Sequence, residues 1–155
     1  MRVSLNLIKK YVDLPKEITN DKIAYDMTLR TVEVEGIENV GEKFHDIIVG
    51  KILEVKAHPN ADKLRVCIVD IGEDAPVQIV CGGSNLYAGE HVVVCKPGAV
   101  VVWHGQGEPV KIEKTKMRGE ESFGMICAAE EVFLSDFFPQ VDETEIIDLK
   151  GIDCA

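Results

Sequence analysis

Residues 114–132 read KTKMRGEESFGMICAAEEV, a stretch that joins a cationic alternation to an apolar run. On a β-strand, Lys114, Lys116 and Arg118 would project from one face about 6–7 Å apart, because side chains alternate between the two faces. That spacing is comparable to the spacing of phosphates along a nucleic-acid strand. Gly119 then predicts a turn, and the apolar run 124–128 predicts core beneath the cations.

The cationic alternation has two interpretations. In the first, the cations contact an RNA backbone, and Ser122 offers its hydroxyl either to a phosphate or to a backbone group. In the second, they form a solvated β edge that lysines protect from edge-to-edge aggregation. The residues alone leave both interpretations open.

The sequence from about His45 onward is rich in short β-type runs separated by turn signals such as Pro97-Gly98. Six or so short strands with few helices predict a small closed β-barrel, because closure leaves no unpaired edges. The fold class is therefore α+β and mainly β, with one helical turn at SNLYAG and a helix at AAEEVFLSDFF. The predicted strands are DIIVGKILEVKA, LRVCIVDI, PVQIVCGG, EHVVVCKPG, VVVW, PVKIEKTK and a last one near FGMICA.

The first 40 residues predict a small helix-helix-strand unit. Residues 4–14 have helical periodicity with Ser4 as N-cap, and Thr19 caps a second short helix in DKIAYDMTLR. TVEVEG alternates as a half-buried strand does. The predicted organisation is this unit over 1–40, the barrel over 41–150, and the truncated start of a further segment over 151–155.

The formal net charge of −10 argues against a protein that binds nucleic acid indiscriminately. The cations are nevertheless segregated, since residues 91–119 carry five of them against two carboxylates. That segment has a charge of +3, which leaves −13 on the rest of the chain. Local fields govern binding, so a restricted cationic site remains compatible with the composition.

Several other classes of protein are disfavoured. The longest apolar runs are far below the ~20 residues that cross a bilayer, and the start is a poor signal peptide, which predicts a cytoplasmic protein. The five cysteines form no CxxC pair and predict buried free thiols. No metal site, nucleotide-binding glycine motif or catalytic constellation is visible, so neither a catalytic residue nor a metal ligand is predicted.

The chain contains, in this order, the three phrases HPNADKLRVCIVDIG (58–72), QIVCGGSNLYAGEHVVVCKPGAVV (78–101) and KTKMRGEESFGMICAAEEV (114–132). Together they resemble the tRNA-binding oligonucleotide/oligosaccharide-binding (OB) fold of several translation proteins. The opening SLNLIKKYVDLP, the short helix and TVEVEG resemble the start of the bacterial phenylalanyl-tRNA synthetase β chain. Two departures are Cys81-Gly-Gly-Ser-Asn85, which lacks a proline common in the family, and Val132-Phe-Leu134, which replaces a Leu-Gly-Leu.

The resemblance implies a tRNA-binding domain within a phenylalanine-tRNA ligase. Its partners would be tRNA-Phe, the rest of the β subunit and the catalytic α subunit. ATP and Mg would serve the parent enzyme, and no cofactor is expected in these 155 residues, which alone lack a catalytic site. The predicted RNA contacts are Lys63, Arg65, Asn85, Lys96, Lys111, Lys114, Lys116, Arg118 and Ser122.

Two alternatives to this function differ in class. One is a structural OB module that packs subunits with little tRNA affinity, which the net charge favours. The other is a free-standing dimeric tRNA binder, which the N-terminal unit disfavours. Because aromatic residues make up only 6% of the chain, contacts to the backbone of a folded RNA are favoured over base stacking. Phe133, Phe137 and Phe138 are interpreted as core or as a docking surface, and His58 as structural.

Overall fold

The structure is a computed structural model, and it describes residues 2–152. The chain divides into two compact units, Met1–Val40 and Gly41–Ala155. Among the described residues, no helix combines the length and the apolar character that a membrane span requires.

The first unit contains two capped helices. Helix α1 spans Leu5–Ile8, where the Ser4 side chain accepts a hydrogen bond from the Leu7 N–H. Helix α2 spans Asn20–Arg30 and is capped in the same way by Thr19. The two predicted helices are confirmed, with α1 shorter than predicted. The predicted strand TVEVEG is wrong, because the described part of this unit offers it no partner strand.

The described residues of the second unit form nine strands. Three 3-10 turns accompany them, the first of which begins at the last residue of the first unit, and the mainly β prediction is confirmed. The turns span Val40–Phe44, Trp103–Gly105 and Glu130–Val132. The strands are β1 Ile47–His58, β2 Ala61–Asp70, β3 Val77–Cys81, β4 His91–Cys95, β5 Val100–Val102, β6 Pro109–Lys111, β7 Thr115–Met117, β8 Glu120–Ser122 and β9 Met125–Ile126.

Five strands form one antiparallel sheet in the order β3-β2-β1-β4-β9, and β4 is buried on both of its faces. Val92 and Val94 pack with Ile52, Cys67 and other residues of one core cluster. Val93 and Cys95 pack into a second cluster, formed with residues that follow β4 in the sequence. The alternation of a strand thus makes β4 the shared wall of two cores.

The predicted closed barrel is not present as a continuous ladder. Pairs β5–β6 and β7–β8 form separate two-stranded ladders, and within residues 2–152 no ladder joins β3 to β9. The stretch predicted as one strand, PVKIEKTK, is interrupted between β6 and β7. However, residues 120–126 begin beside β3 and end paired with β4, so they extend across the gap in the ladder. The Phe123 N–H donates to the Gln78 carbonyl at 2.8 Å, and β9 pairs with β4.

The segment after β9 covers the second core without a long helix. The predicted helix AAEEVFLSDFF is wrong, because only Glu130–Val132 form a 3-10 turn and Phe133 ends it in a left-handed conformation with φ +59°. The predicted helical turn at SNLYAG is also wrong, since these residues form bends and turns. Phe133 and Phe137 are exposed, whereas Phe138 packs against the core.

The predicted buried thiols are confirmed for Cys67, Cys81, Cys95 and Cys127, and Cys154 lies outside the described residues. Burial raises the pKa of Cys67 to about 12 and that of Cys81 to about 11. These cysteines therefore act as small apolar side chains.

Candidate nucleic-acid interface

The β7–β8 hairpin holds the central part of the cationic sequence. Lys116 pairs in register with Glu121 on an exposed face, while Thr115 pairs with the buried Ser122. Lys114 precedes β7, and its ion pair with the same Glu121 puts it on the face of Lys116. Arg118 lies outside β7, in the turn, where its φ of +49° breaks the alternation. The predicted row of three therefore consists of two lysines, followed by an arginine at the hairpin tip.

Lys114 is held between an acid and an aromatic ring. Its Nζ lies 3.2 Å from the Glu121 carboxylate and 3.9 Å from the centroid of the Phe123 ring. Both partners of the ion pair are about half exposed, and such pairs contribute about 0–1 kcal/mol. A phosphate can therefore replace Glu121 at little cost, although the acid lowers the local positive potential.

The end of the β1–β2 hairpin carries Lys63 and Arg65. Arg65 lies on the face of β2 that also presents the core residues Cys67 and Val69, because residues two apart share a face, whereas Lys63 lies in an irregular stretch of the β1–β2 pairing. Lys63 is exposed, and the Arg65 Nη1 donates to the Asp62 and Leu64 carbonyls at 3.0 Å. These hydrogen bonds fix the guanidinium but leave its charge without a carboxylate partner in the described chain.

Hydrogen bonds join the two cationic hairpins directly. The Asn60 Nδ2 donates to the Arg118 carbonyl at 3.0 Å, and the His58 Nε2 lies 3.0 Å from the Met117 carbonyl. His58 is buried, which confirms its structural interpretation. The turn signal His58-Pro-Asn indicated the β1–β2 hairpin, but nothing in the sequence indicated its contact with residues almost sixty positions away.

The remaining predicted cations, Lys96 and Lys111, lie outside the two hairpins. The Lys96 Nζ donates to Glu73 at 2.9 Å, and this hydrogen bond raises the pKa of Lys96. Lys111 is exposed in β6, opposite Val100. The structure thus brings Lys63, Arg65, Lys114, Lys116 and Arg118 onto two joined hairpins, and leaves Lys96 and Lys111 elsewhere.

Ser122 and Asn85 bind backbone groups. The Ser122 hydroxyl has no exposed surface, accepts from the Val80 N–H and donates to the Gly124 carbonyl, both at 2.9 Å. Ser122 was predicted to contact either a phosphate or a backbone group, and the structure shows the contact with backbone groups. The Asn85 amide donates to the Ile146 carbonyl at 3.1 Å and accepts from the Ile146 N–H at 3.0 Å. Both polar atoms of that amide are thereby occupied.

Replacement of Ser122 by alanine is expected to lower the free energy of unfolding by about 1–3 kcal/mol, because the buried Val80 N–H loses its acceptor. Urea unfolding measures this loss. The matched control is Ser84→Ala at an exposed serine, which should change stability by less than about 0.5 kcal/mol. Equal stability of Ser122→Ala and the parent would contradict the structural role.

Among the described residues, no group of three or more His, Cys, Asp or Glu side chains could hold a metal ion. The chemistry that the two hairpins offer is the binding of anions by amines and guanidinium groups.

Residues 47–150 match the family described as "Putative tRNA binding domain". The chain belongs to this family. All nine predicted contact residues lie within the matched range, so the tRNA-binding domain includes both cationic hairpins. The N-terminal helices precede it.

Relatives extend the similarity beyond the tRNA-binding domain. The phenylalanine-tRNA ligase β subunit of Bacillus subtilis is 46% identical over 132 residues, which are 85% of this chain and 16% of that protein. The β subunit of Halalkalibacterium halodurans is 44% identical over 140 residues, 90% of this chain and 17% of that protein. This chain therefore spans about one sixth of their length. The C-terminal domain of Plasmodium vivax p43 overlaps only in part, at 27% identity over 52% of this chain and 43% of that chain, with a TM-score of 0.40.

Proposed function

We propose that this chain binds tRNA through its two joined hairpins, as the tRNA-binding region of a phenylalanine-tRNA ligase β subunit. The proposal rests on the hydrogen-bonded junction of the two hairpin ends. These ends bear Lys63, Lys116 and Arg118, and none of the three forms an ion pair within the described chain. In this role the domain holds tRNA-Phe by its phosphates while the α subunit attaches phenylalanine. ATP and Mg serve that α subunit, and the assembly is cytoplasmic, as translation is.

We also propose that the sheet is an OB-type barrel with a seam closed by isolated hydrogen bonds. Two bonds from residues 122 and 123 to β3 support this proposal: Phe123 N–H to the Gln78 carbonyl, and Val80 N–H to the Ser122 hydroxyl. Such a seam closes the edge of β3 with few ladder bonds, and it places the β7–β8 hairpin beside the β1–β2 hairpin.

Titration with a tRNA-Phe transcript at several salt concentrations tests the RNA function. If about three phosphates are contacted, the slope of log Kobs against log salt is expected to lie around −2 to −3. The variant Lys116→Gln with Arg118→Asn should bind more weakly and should have a slope closer to zero by about 2, since each phosphate contact contributes about 0.9. Asparagine at position 118 tolerates the left-handed backbone, so the turn is retained.

The matched control is Lys51→Gln with Lys150→Asn, which removes the same charge from exposed positions away from the two hairpin tips, since Lys51 pairs with Asp70 at the opposite end of the β1–β2 ladder. It should keep the parental slope. A hairpin variant with an unchanged slope would exclude this surface as the RNA site.

A structural module that packs against other subunits is the second candidate function. The pairing of Lys114 with Glu121 and of Lys96 with Glu73, within a chain of net charge −10, favours it. Absence of tRNA binding at low salt, together with association with the other parts of the ligase, would establish this alternative.

A further inference from the structure

The turn at His58–Asn60 and the tip of the β7–β8 hairpin form a small hydrogen-bonded unit, which we call the clasp. It consists of His58, Asn60, Met117, Arg118 and Gly119. The Asn60 N–H donates to the His58 Nδ1 at 3.0 Å, so that nitrogen is an acceptor. The proton of the neutral imidazole is therefore on Nε2, which donates to the Met117 carbonyl. Both ring nitrogens are satisfied, as burial of the ring requires.

The hairpin tip that the clasp holds has an unusual backbone. Arg118 has φ +49° and Gly119 has φ +107°, so both central residues of the turn are left-handed. Two-residue hairpin loops favour this arrangement, but with asparagine, aspartate or glycine at the first position. Arginine there is disfavoured, because its Cβ crowds the following carbonyl. A contact from outside the hairpin would stabilise Arg118 in this conformation.

Asn60 supplies that contact. Its Nδ2 donates to the Arg118 carbonyl, and a Cβ built on Gly119 would lie only 3.4 Å from the same nitrogen. The amide therefore packs against both left-handed residues of the tip. Lys63 follows Asn60 by three residues, so its backbone lies within about 10 Å of Asn60. The clasp fixes the arginine of one hairpin relative to the lysine of the other.

We propose that Asn60 is a positioning residue for RNA binding, which holds the Arg118 tip so that its guanidinium and the Lys63 ammonium meet one run of phosphates. The inference rests on the proposed tRNA-binding function. Asn60 itself adds no charge and need not contact the RNA. It acts by reducing the conformations of the tip that binding must otherwise order, which is the general route by which preorganisation raises affinity.

The test is a double-mutant cycle between Asn60→Ala and Arg118→Asn, with tRNA-Phe affinity as the readout. Asn60→Ala leaves every cation in place, so affinity should fall by about 3- to 10-fold, the effect of one lost hydrogen bond, while the salt slope stays parental. Arg118→Asn should weaken binding and bring the slope closer to zero by about 1. In the Arg118→Asn background, Asn60→Ala should have little further effect, because no guanidinium remains to be positioned.

Gly107→Ala serves as the stability control, since Gly107 lies outside both hairpins and its φ of +95° makes alanine destabilising there. If Gly107→Ala weakens tRNA binding as much as Asn60→Ala does, loss of stability explains both results and the positioning role is refuted. The role is equally refuted if Asn60→Ala weakens binding by the same factor in both backgrounds, or not at all.

The outcomes also separate this inference from the function on which it rests. A parent protein that does not bind tRNA, or an Arg118→Asn variant with the parental slope, overturns the proposed function and the inference together. If Arg118→Asn makes the salt slope shallower but the effects of Asn60→Ala and Arg118→Asn on the binding free energy are additive, only the positioning role is overturned.

Discussion

Alanine at position 124 is expected to destabilise this protein more than any other substitution considered, by about 4 kcal/mol or more. Gly124 has φ +107°, and a Cβ there would lie 2.4 Å from the Cys95 carbonyl oxygen. That oxygen belongs to the backbone of the buried strand β4 and cannot move aside. Since domains of this size are stable by only about 5–15 kcal/mol, the variant should unfold at a much lower urea concentration.

Gly107→Ala separates the two causes of this loss, which are the positive φ and the clash of the added Cβ with the Cys95 carbonyl oxygen. Gly107 has a similar φ of +95°, but no atom lies within 4 Å of its added Cβ. Its variant should lose only the conformational part, about 1–3 kcal/mol. Equal losses at positions 107 and 124 would show that the close approach to Cys95 does not exist in solution.

The variant Glu90→Gln is expected to remove a pH dependence of stability between about pH 4.5 and 7. Glu90 is 1% exposed, its Oε2 accepts from the Tyr87 N–H, and its Oε1 has no partner among the described residues. Burial raises the pKa of Glu90 from the ordinary 4.5 to about 7, and the nearby Asp148 carboxylate adds to the effect. The folded protein thus keeps a proton that the unfolded chain releases at lower pH.

The sign of the effect follows from this difference in protonation. As pH rises from about 4.5 to 7, the free energy of unfolding should fall by up to about 1.4 kcal/mol per pH unit from this group, and then remain level. Glutamine keeps an acceptor for Tyr87 and has no proton to lose. In urea unfolding at pH 5, 6, 7 and 8, the free energy of unfolding of Glu90→Gln relative to the parent should therefore rise up to pH 7 and then remain level.

Glu108→Gln provides the matched control, because Glu108 is exposed and the substitution changes the net charge by the same amount. Its stability relative to the parent should not vary over this range. A difference between Glu90→Gln and the parent that stays constant from pH 5 to 8 would contradict the raised pKa of Glu90.

The sequence predicts those parts of the fold that local patterns determine. The alternating runs gave most of the strands, the His58-Pro-Asn turn indicated the first hairpin, and Ser4 and Thr19 marked the helix starts that the structure confirms. The prediction of a strand at TVEVEG failed because an alternating sequence does not by itself provide a partner strand. The predicted helix after β9 failed because Phe133 adopts a left-handed backbone, which its residue type does not favour.

The candidate site was less predictable, because cross-strand and long-range contacts determine it. The position of Glu121 beside Lys114 depends on the β7–β8 register, and the left-handed Arg118 is contrary to the preference of arginine. Burial of Ser122 follows from the packing of its hairpin on β3. Each of these features requires knowing which segments meet, information that composition and periodicity do not contain.

The pairing of Asn85 with Ile146 has a consequence for the time course of synthesis. The two residues are separated by 61 positions, and Ile146, Ile147 and Leu149 complete both core clusters. At about 5–20 residues per second, a ribosome takes roughly 3–12 s to deliver Ile146 after Asn85 has been made. Until then the nascent sheet lacks its final apolar cover, and the uncovered core residues offer a chaperone apolar surface to bind.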